Sequence, residues 1–393
     1  MPRDKEAGEA QAPVEAAAGE AARGSAPAAE PEQEKQGKKK KPKKKRAGRL
    51  LVVLGIIVLG LAAALVVYLS IHEYNPPSVE DLTVSHNADT PLYPGTALRI
   101  VTCNTGYGGL SADTDFFMDG GSHVNPASEE AVSENLAGIG ALLGAQGANV
   151  YMLQEVDLES SRSFDIDEAA FYENTLGLPG VFAYNYNCVY VPYPLPPIGK
   201  VGAGLLTLTR LHAAEAQRIS LPVPFEWPIR TANLKRCLLV ERIPVEGTDR
   251  ELVLVNLHLE AYDDGGGKAA QTEQLYHFLE IESLKGNYVI AGGDFNQTFP
   301  GSPEFPVVSP DSWVPGVLDE DSLPYGYSYV FDPALPTTRV LNAPYTGSWE
   351  TSQVYTIDGF IVSDNLSVLN VAVVDDGFRY TDHQAVVLDV VLP

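Results

Sequence analysis

Short apolar runs and one amphipathic segment alternate in the first part of the presumed folded region. The run at residues 97–103 predicts a buried strand, and the segment 125–146 has apolar residues at helical spacing. That segment opens on an Asn-Pro pair suited to an N-cap and a first helical position, and it is followed by Gly147. Another apolar run begins at residues 150–153. Strand, helix and strand in this order indicate a layered α/β fold.

The later part of the chain predicts more strands, a second long helix and two irregular regions. Strands are predicted at residues 202–210, 238–243, 251–257, 354–363 and 386–391, and a helix at 269–283 after a mobile glycine link at 265–267. The strands on either side of Gly247 form a predicted hairpin. The Tyr- and Pro-rich residues 182–198 predict a packed irregular segment between two strands, with an aromatic substrate rim or membrane-facing loop as the alternative. Residues 297–347 have no long periodic element and are predicted to shape substrate access.

The stretch 286–296 predicts an apolar strand that stops at two glycines and delivers polar side chains to the rim of a sheet. Asp294 and Asn296 are two residues apart, so both side chains are able to face one side of an extended segment. A carboxylate beside a neutral amide suits water activation on a phosphate ester. The alternative is an ordinary strand-to-loop turn, because Gly, Asp and Asn are common turn formers.

The N-terminal pattern predicts a membrane anchor. Residues 50–71 are 22 residues without a charge, which at about 1.5 Å per residue spans roughly 33 Å, enough for a bilayer core. This run exceeds the usual apolar core of a cleaved signal peptide, and no persuasive Ala-x-Ala site follows it, so an uncleaved anchor is favoured, with a cleaved signal peptide as the alternative. The basic cluster 38–46 directly precedes it, and no Lys or Arg follows until Arg99. The positive-inside rule therefore predicts a cytoplasmic N-terminus and an extracytoplasmic C-terminal domain.

Composition completes the predicted organisation. Residues 1–49 form a predicted disordered basic tail, 50–71 a transmembrane helix, 72–95 a stalk and 96–393 the catalytic domain. Residues 1–49 hold 13 of the 27 basic and 8 of the 51 acidic residues, which leaves 14 basic against 43 acidic residues and a net charge of −29. So acidic a domain argues against a stable nucleic-acid complex. Three scattered cysteines predict buried thiols, with at most one bridge.

Polar residues recur at or near the ends of the predicted strands. They are Asn104, Glu155, Asn256, His258, Asp294, Asn296, Asp358, Asp382 and His383. Strand ends at one edge of a layered sheet converge, so these residues are expected to share a pocket. Glu155 and Asp382 are hard oxygen ligands suited to Mg²⁺ or Mn²⁺. His258 and His383 suit phosphate contact or proton exchange.

The segments that carry these residues resemble a known family. LRIVTCN, LQEVD, NLHLEA, GGDFN, IDGFIVSD and TDH are similar, in the same order, to the motifs of the endonuclease/exonuclease/phosphatase superfamily, which has the deoxyribonuclease-I-like fold. The resemblance covers residues 96–393. It implies a four-layer α/β sandwich of two mostly antiparallel sheets flanked by helices, here preceded by the tail and one transmembrane helix.

The resemblance also implies roles for the metal-site residues. Glu155 resembles the family's metal-ligand Glu, Asn104 the Asn beside the metal, and Asp382 the second metal-site Asp. The implied cofactor is Mg²⁺, with Mn²⁺ as the alternative.

The catalytic roles are implied in the same way. Asp294 resembles the Asp that orients or deprotonates the attacking water, and Asn296 the Asn that holds a phosphate oxygen. His383 resembles the His that contacts the scissile phosphate, with Asp358 fixing its tautomer. His258 is similar to a histidine that some members use as a general acid or phosphate clamp.

The sequence therefore predicts a membrane-anchored, metal-dependent phosphoesterase with a phosphate-ester substrate, most favourably a phosphodiester. A nuclease, a sphingomyelinase-like phospholipid phosphodiesterase, a phosphatase for soluble phosphates and an inactive surface-binding module stay open as alternatives. The substrate, the number of metals and the oligomeric state are not determined by the sequence.

Overall fold

The computed structural model describes residues 44–85, 88–263, 266–310 and 312–393. The chain divides into two units, Met1–Val58 and Leu59–Pro393. Most of the predicted disordered tail lies outside the described residues, as does Gly265 of the predicted glycine link.

The first helix, α1 (Lys44–Ile71), contains the predicted anchor. Its segment Ala47–Ile71 contains an 18-residue window with a mean hydropathy of 3.2 and is long and apolar enough to cross a membrane. Its length and composition are the basis for considering it a membrane span.

A seven-stranded sheet forms one inner layer of the unit Leu59–Pro393. With strands numbered in chain order, its spatial order is β1 (Val79–Asp81), β6 (Glu215–Ser220), β7 (Cys237–Pro244), β8 (Glu251–His258), β9 (Tyr288–Asp294), β15 (Asp358–Ser363) and β12 (Tyr327–Val330). Only the β8–β9 pair of this sheet is parallel. The predicted hairpin is confirmed as β7 and β8.

A six-stranded sheet forms the other inner layer. Its order is β16 (Ser367–Val373), β17 (Val386–Val391), β2 (Ala97–Asn104), β3 (Val150–Asp157), β5 (Gly199–Thr209) and β4 (Gly180–Val191). Here only β2 and β3 run parallel. Two short pairs complete the described strands: β10 (Gln297–Thr298) with β11 (Gly316–Val317), and β13 (Thr338–Arg339) with β14 (Val354–Tyr355).

Successive side chains of a strand point to opposite faces of the sheet, so one lies in the core between the two sheets and the next lies against a helix layer. Ile100 of β2 packs in the core shared with Leu254 and Phe360 of the other sheet, whereas Val101 faces the helical side. Helices α2 (Glu129–Gln146) and α3 (Glu168–Leu176) cover the six-stranded sheet. Helix α4 (Gly266–Lys285) covers the seven-stranded sheet. The predicted four-layer sandwich is confirmed.

The start of α2 corrects the predicted N-cap. The helix begins after Ser128, whose Oγ accepts a hydrogen bond from the Ala131 backbone N–H at 3.2 Å. Asn125 and Pro126 precede this cap in a loop, because the Ser128 hydroxyl satisfies a helix donor that lies later in the chain. The predicted end is confirmed: Gly147 has a φ of 58°, a left-handed conformation that glycine adopts without steric cost.

Three other predictions change with the long-range pairing. Residues 182–191 belong to strand β4, so the predicted irregular segment is restricted to residues 192–198. Part of the predicted stalk pairs with β6 as edge strand β1. The predicted strand 354–363 is divided between β14 and β15. Strand β4 forms because β5 pairs along its length, and its tyrosines suit a paired strand, since aromatic residues are enriched in strands.

The cysteine prediction is confirmed. Cys103, Cys188 and Cys237 are all free and buried.

Candidate active site

Three neighbouring strands align three of the predicted site residues in one row. Strand β8 runs parallel to β9 and places His258 opposite Asp294. Strand β15 runs antiparallel to β9 and places Asp358 opposite Asp294 from the other side. The convergence predicted from strand ends therefore follows from the register of three strands.

The two glycines before Asp294 permit close packing around it. A Cβ at Gly293 would lie 1.9 Å from the carbonyl oxygen of Leu257, and one at Gly292 would lie 2.5 Å from a ring carbon of Phe360. Any larger residue would push β9 away from its neighbour or from the core. The Gly-Gly pair is thus required by packing.

The six-stranded sheet contributes Asn104 and Glu155. Asn104 is the last residue of β2, and its Nδ2 donates to Glu155 Oε1 at 3.3 Å and to Asp294 Oδ2 at 3.1 Å. Glu155 lies where the pairing of β3 with β5 is irregular, and its φ is 54°. A non-glycine residue with positive φ is held there by its surroundings, a feature that concentrates at functional sites. Asn104 therefore connects the carboxylates of the two sheets.

The loop before β17 contributes Asp382 and His383. Thr381 Oγ1 donates to the Asn104 carbonyl oxygen at 3.1 Å and lies 3.3 Å from Asp382 Oδ1. His383 Nδ1 lies 2.9 Å from Asp358 Oδ2, and its Nε2 lies 3.2 Å from Thr338 Oγ1. Asp358 thus fixes the orientation of the imidazole ring.

Asp294 is the most connected carboxylate of the site. Its Oδ1 accepts a hydrogen bond from the Asn296 backbone N–H at 2.9 Å, and its Oδ2 lies 3.3 Å from His258 Nε2 and 3.8 Å from His383 Nε2. Asn296 has a φ of 50°, and its Nδ2 donates to the Leu259 carbonyl oxygen at 2.8 Å. Four predicted residues, Asn104, Asn296, His258 and His383, therefore surround the two carboxylate oxygens of Asp294.

Burial and like charges perturb the carboxylates. Burial and the nearby Asp358 charge raise the pKa of Asp294 to about 7. Burial, with a contribution from Glu155, raises the pKa of Asp382 to about 6. Both shifts express the cost of concentrating negative charge in a buried site.

The two histidines are shifted in opposite directions. Burial disfavours the charge on His383, but Asp358, Asp294 and Asp382 outweigh it and hold its pKa well above the usual range. Burial, Arg236 and His383 together lower the pKa of His258 well below the usual range. The charged form is therefore favoured for His383 and disfavoured for His258.

The chemistry of the donors fits a hard divalent cation. Asp358 Oδ1 is buried and has no hydrogen-bond partner among the described residues. One ligand atom from each of Asp294, Asp358 and His383 lies within 4.8 Å of the others. This possible metal group differs from the predicted set of Asn104, Glu155 and Asp382. Because His383 Nδ1 already bonds to Asp358, we assign these two residues to a hydrogen-bonded pair and retain the predicted set as a hypothesis.

A cavity of about 660 Å³ contains the site. Seven of the eight predicted residues line it, namely Asn104, Glu155, His258, Asp294, Asn296, Asp382 and His383. Asp358 is fully buried and contacts the cavity through His383. Asn256, the remaining strand-end residue, lies outside this lining: its side chain bonds to Gln154 Nε2 at 2.8 Å and to backbone oxygens of the opposite sheet.

Sequence reasoning missed Arg236, which also lines the cavity. Its Nε donates to Glu260 Oε2 at 3.2 Å and its Nη1 to the His258 carbonyl oxygen at 3.1 Å. Arg236 directly precedes β7, whereas most of the predicted site residues lie at or near the carboxyl end of a strand. The predicted β7–β8 hairpin was the available signal, since it places the start of one strand beside the end of the other.

A second missed pair lies across the cavity. Tyr262 Oη donates to Asp119 Oδ1 at 2.6 Å, and Asp119 Oδ2 accepts from the Leu341 backbone N–H at 3.0 Å. All three residues belong to loops or to a short 3-10 turn. No periodic pattern in the sequence marks them.

Comparison with solved structures finds the same fold in proteins of low sequence similarity. An endonuclease/exonuclease/phosphatase from Beutenbergia cavernae has 18% identity and a TM-score of 0.52, with 75% of this chain and 72% of that chain covered. A functionally unknown conserved protein from Enterococcus faecalis has 16% identity and a TM-score of 0.50, with 75% and 100% covered. No curated protein sequence matches this chain.

The sequence pattern of a family matches most of the folded unit. The pattern described as "Endonuclease/Exonuclease/phosphatase family" matches residues 101–383, a range that contains all eight predicted site residues. The chain belongs to the endonuclease/exonuclease/phosphatase family, whose members are hydrolases of phosphate esters.

Proposed function

We propose that the protein is a membrane-anchored, divalent-metal-dependent phosphodiesterase whose catalytic domain lies outside the cytoplasm. The observation that carries this proposal is a cluster of carboxylates and two histidines: Glu155, Asp294, Asp382, His258 and His383 line one cavity, and the buried Asp358 lies behind His383. In such a cluster the carboxylates attract a cation, and the histidines beside them supply hydrogen-bond donors for a phosphate. Mg²⁺ is the proposed cation and Mn²⁺ the alternative.

Asp294 is the proposed acceptor for the proton of the attacking water. Its pKa of about 7 suits proton exchange near neutral pH. Asn104 and the Asn296 backbone N–H hold the carboxylate in one orientation. Asn296 lines the cavity and is the proposed contact to a phosphate oxygen.

His383 is the proposed cationic donor to the scissile phosphate, with its Nδ1–H held by Asp358. His258 is the proposed second proton donor or phosphate contact. Glu155, Asp382 and Asn104 are the residues proposed to hold the cation. When bound, a divalent cation polarises the phosphoryl oxygens and stabilises charge on the leaving group.

Hydrolysis of bis(4-nitrophenyl) phosphate and 4-nitrophenyl phosphate by the full chain in detergent tests this proposal. We expect faster turnover of the diester, dependence on Mg²⁺ or Mn²⁺, and loss of turnover in EDTA. His383→Gln is expected to reduce kcat by about 10²- to 10⁴-fold. The exposed His277 supplies the matched control, His277→Gln, which is expected to keep wild-type turnover. Turnover that persists in EDTA contradicts metal dependence, and no turnover with any divalent metal contradicts the enzyme assignment.

Topology has a separate test. Protease added to sealed cells should digest residues 96–393 if the domain is extracytoplasmic. Protection in intact cells, with digestion after lysis, would reverse the proposed orientation.

A further inference from the structure

The wall of the active-site cavity includes part of the apolar helix, and from this we infer that the enzyme takes its substrate directly from a bilayer, as the phosphodiester of a zwitterionic phospholipid. The inference rests on the proposed phosphodiesterase function and specifies its substrate class. It concerns the unit Leu59–Pro393, which contains the end of α1 together with the cavity.

The last turns of α1 lie against the domain on one face. Leu69 is buried, Leu65 and Val66 are half-buried, and all three line the same cavity as Asp294 and His383. Leu65 lies six residues before the helix end, which at about 1.5 Å per residue is about 9 Å along the axis. If α1 spans a bilayer, this part of the cavity wall lies at the depth of the lipid chains near the surface.

An apolar rim continues from the helix around the cavity. The rim consists of four exposed residues, Met118, Tyr193, Trp227 and Ile229, and is extended along the chain by the exposed Leu195, two residues after Tyr193. Met118, Tyr193 and Ile229 line the cavity, and Trp227 Nε1 donates to Ser70 Oγ at 2.9 Å near the end of α1. Leu195 is 86% exposed and Tyr193 69%. Clustered exposed apolar residues mark a binding surface, and Trp and Tyr favour the boundary between lipid chains and water.

The charge of the domain favours a neutral headgroup. Residues 50–393 have a net charge of −29, so long-range repulsion opposes a nucleic-acid polyanion. A zwitterionic phospholipid has no net charge to repel, and its acyl chains match the apolar rim and helix face. Its phosphodiester is the group that the site is proposed to hydrolyse: the water oxygen bonds to phosphorus, one P–O ester bond breaks, and an alcohol and a phosphate monoester leave.

Reconstituted full-length protein in phosphatidylcholine vesicles tests the inference. Phosphorus NMR follows loss of the lipid phosphodiester signal, and parallel reactions measure bis(4-nitrophenyl) phosphate and single-stranded DNA. We expect metal-dependent cleavage of the vesicle lipid. In Trp227→Ser/Ile229→Ser, the ratio of vesicle to soluble-diester turnover should fall about tenfold or more, because apolar side chains are removed from the lipid contact.

A second rim variant and one control complete the test. Leu195→Ser changes one highly exposed rim residue and should lower the ratio in the same direction. Leu284→Ser/Leu369→Ser changes exposed apolar residues outside the cavity lining and should keep the wild-type ratio. Turnover of the soluble diester in each variant reports that its active site is folded.

The outcomes separate the two levels of the proposal. An intact soluble-diester activity without lipid cleavage, an unchanged ratio in both rim variants, or cleavage of DNA in preference to lipid would overturn the inference and leave the phosphodiesterase assignment standing. Absence of turnover on every diester would overturn the assignment itself.

Discussion

Two buried polar clusters lie at opposite ends of strand β9, and they differ in how their charge is balanced. Near the start of β9, Glu282 of helix α4 accepts hydrogen bonds from Arg242 Nη2 at 2.6 Å, Lys285 Nζ at 2.8 Å and Asn287 Nδ2 at 2.8 Å. Burial alone would raise the pKa of Glu282, but these partners lower it to about 2. At the other end, burial and Asp358 raise the pKa of Asp294 to about 7.

The difference distinguishes a cluster that stabilises the fold from one that is suited to chemistry. Glu282 has two cationic partners and a hydrogen-bonding amide, so its charge is stabilised within the chain. The active-site carboxylates outnumber the cationic side chains in contact with them, and the pKa values of Asp294 and Asp382 rise. Such excess buried negative charge favours binding of a cation or of a proton. Four predictions test this contrast, in order of decreasing expected effect.

Asp294→Asn should reduce kcat for diester hydrolysis by about 10³-fold, because the variant loses the acceptor for the water proton. The free energy of unfolding should stay within about 1 kcal/mol of wild type, since the substitution also relieves repulsion from Asp358. Kinetics and thermal unfolding of the same preparation measure both. Substantial activity would remove Asp294 from the proposed mechanism.

Glu282→Gln should have the opposite profile. The free energy of unfolding should fall by roughly 3 kcal/mol, because Arg242 loses its buried partner. Below the unfolding transition, kcat should be unchanged. Glu280→Gln on the exposed face of α4 is the matched control and should leave both values unchanged. If Glu282→Gln instead lowers kcat and leaves the free energy of unfolding unchanged, the assignment of the Glu282 cluster to fold stability is wrong.

A divalent cation should stabilise the folded protein by binding to the active-site cluster and not to the Glu282 cluster. At about 100 times its dissociation constant, Mg²⁺ or Mn²⁺ should stabilise the folded state by about 2.7 kcal/mol. Thermal unfolding midpoints with and without the cation measure this effect. We expect Glu155→Gln and Asp382→Asn to abolish the shift and Glu282→Gln to keep it. An unaltered shift in both site variants would place the cation elsewhere.

The smallest effect is the acid dependence of the Glu282 cluster. The pKa of Glu282 in the folded state, about 2, lies below its ordinary value of about 4.3. Its stabilisation is therefore complete above about pH 4.3 and is lost as the pH falls through 2. The difference in unfolding midpoint between wild type and Glu282→Gln should shrink over this interval. A constant difference from pH 5 to pH 2 would show that the charge of Glu282 does not stabilise the fold.

Much of the architecture was predictable because it depends on local pattern. The apolar runs identified strands β2, β5, β7, β8, β9 and β17, and helical spacing identified α2 and α4. Eight polar residues named at or near the ends of apolar runs lie in or directly behind one cavity, and their roles remain proposals. Residues at strand ends are predictable because a single apolar run specifies both the strand and the point where it stops.

Other features depended on partners distant in the sequence. Strand β4 formed in a Tyr-rich segment because β5 pairs along its length. Arg236 reached the cavity through the register of a hairpin, and Glu155 through an irregularity in pairing with β5. Asn256, in contrast, was directed between the sheets to Gln154.

The sequence by itself determined the α/β class, the candidate membrane span and the residue types of the proposed active site, because each follows from composition, short-range periodicity or short motifs. Only the tertiary structure decided which carboxylates share a hydrogen-bond network, which acids have cationic partners and which face of α1 lines the cavity. Those properties depend on distances between atoms that lie tens to hundreds of residues apart, and short-range patterns carry no information about such distances.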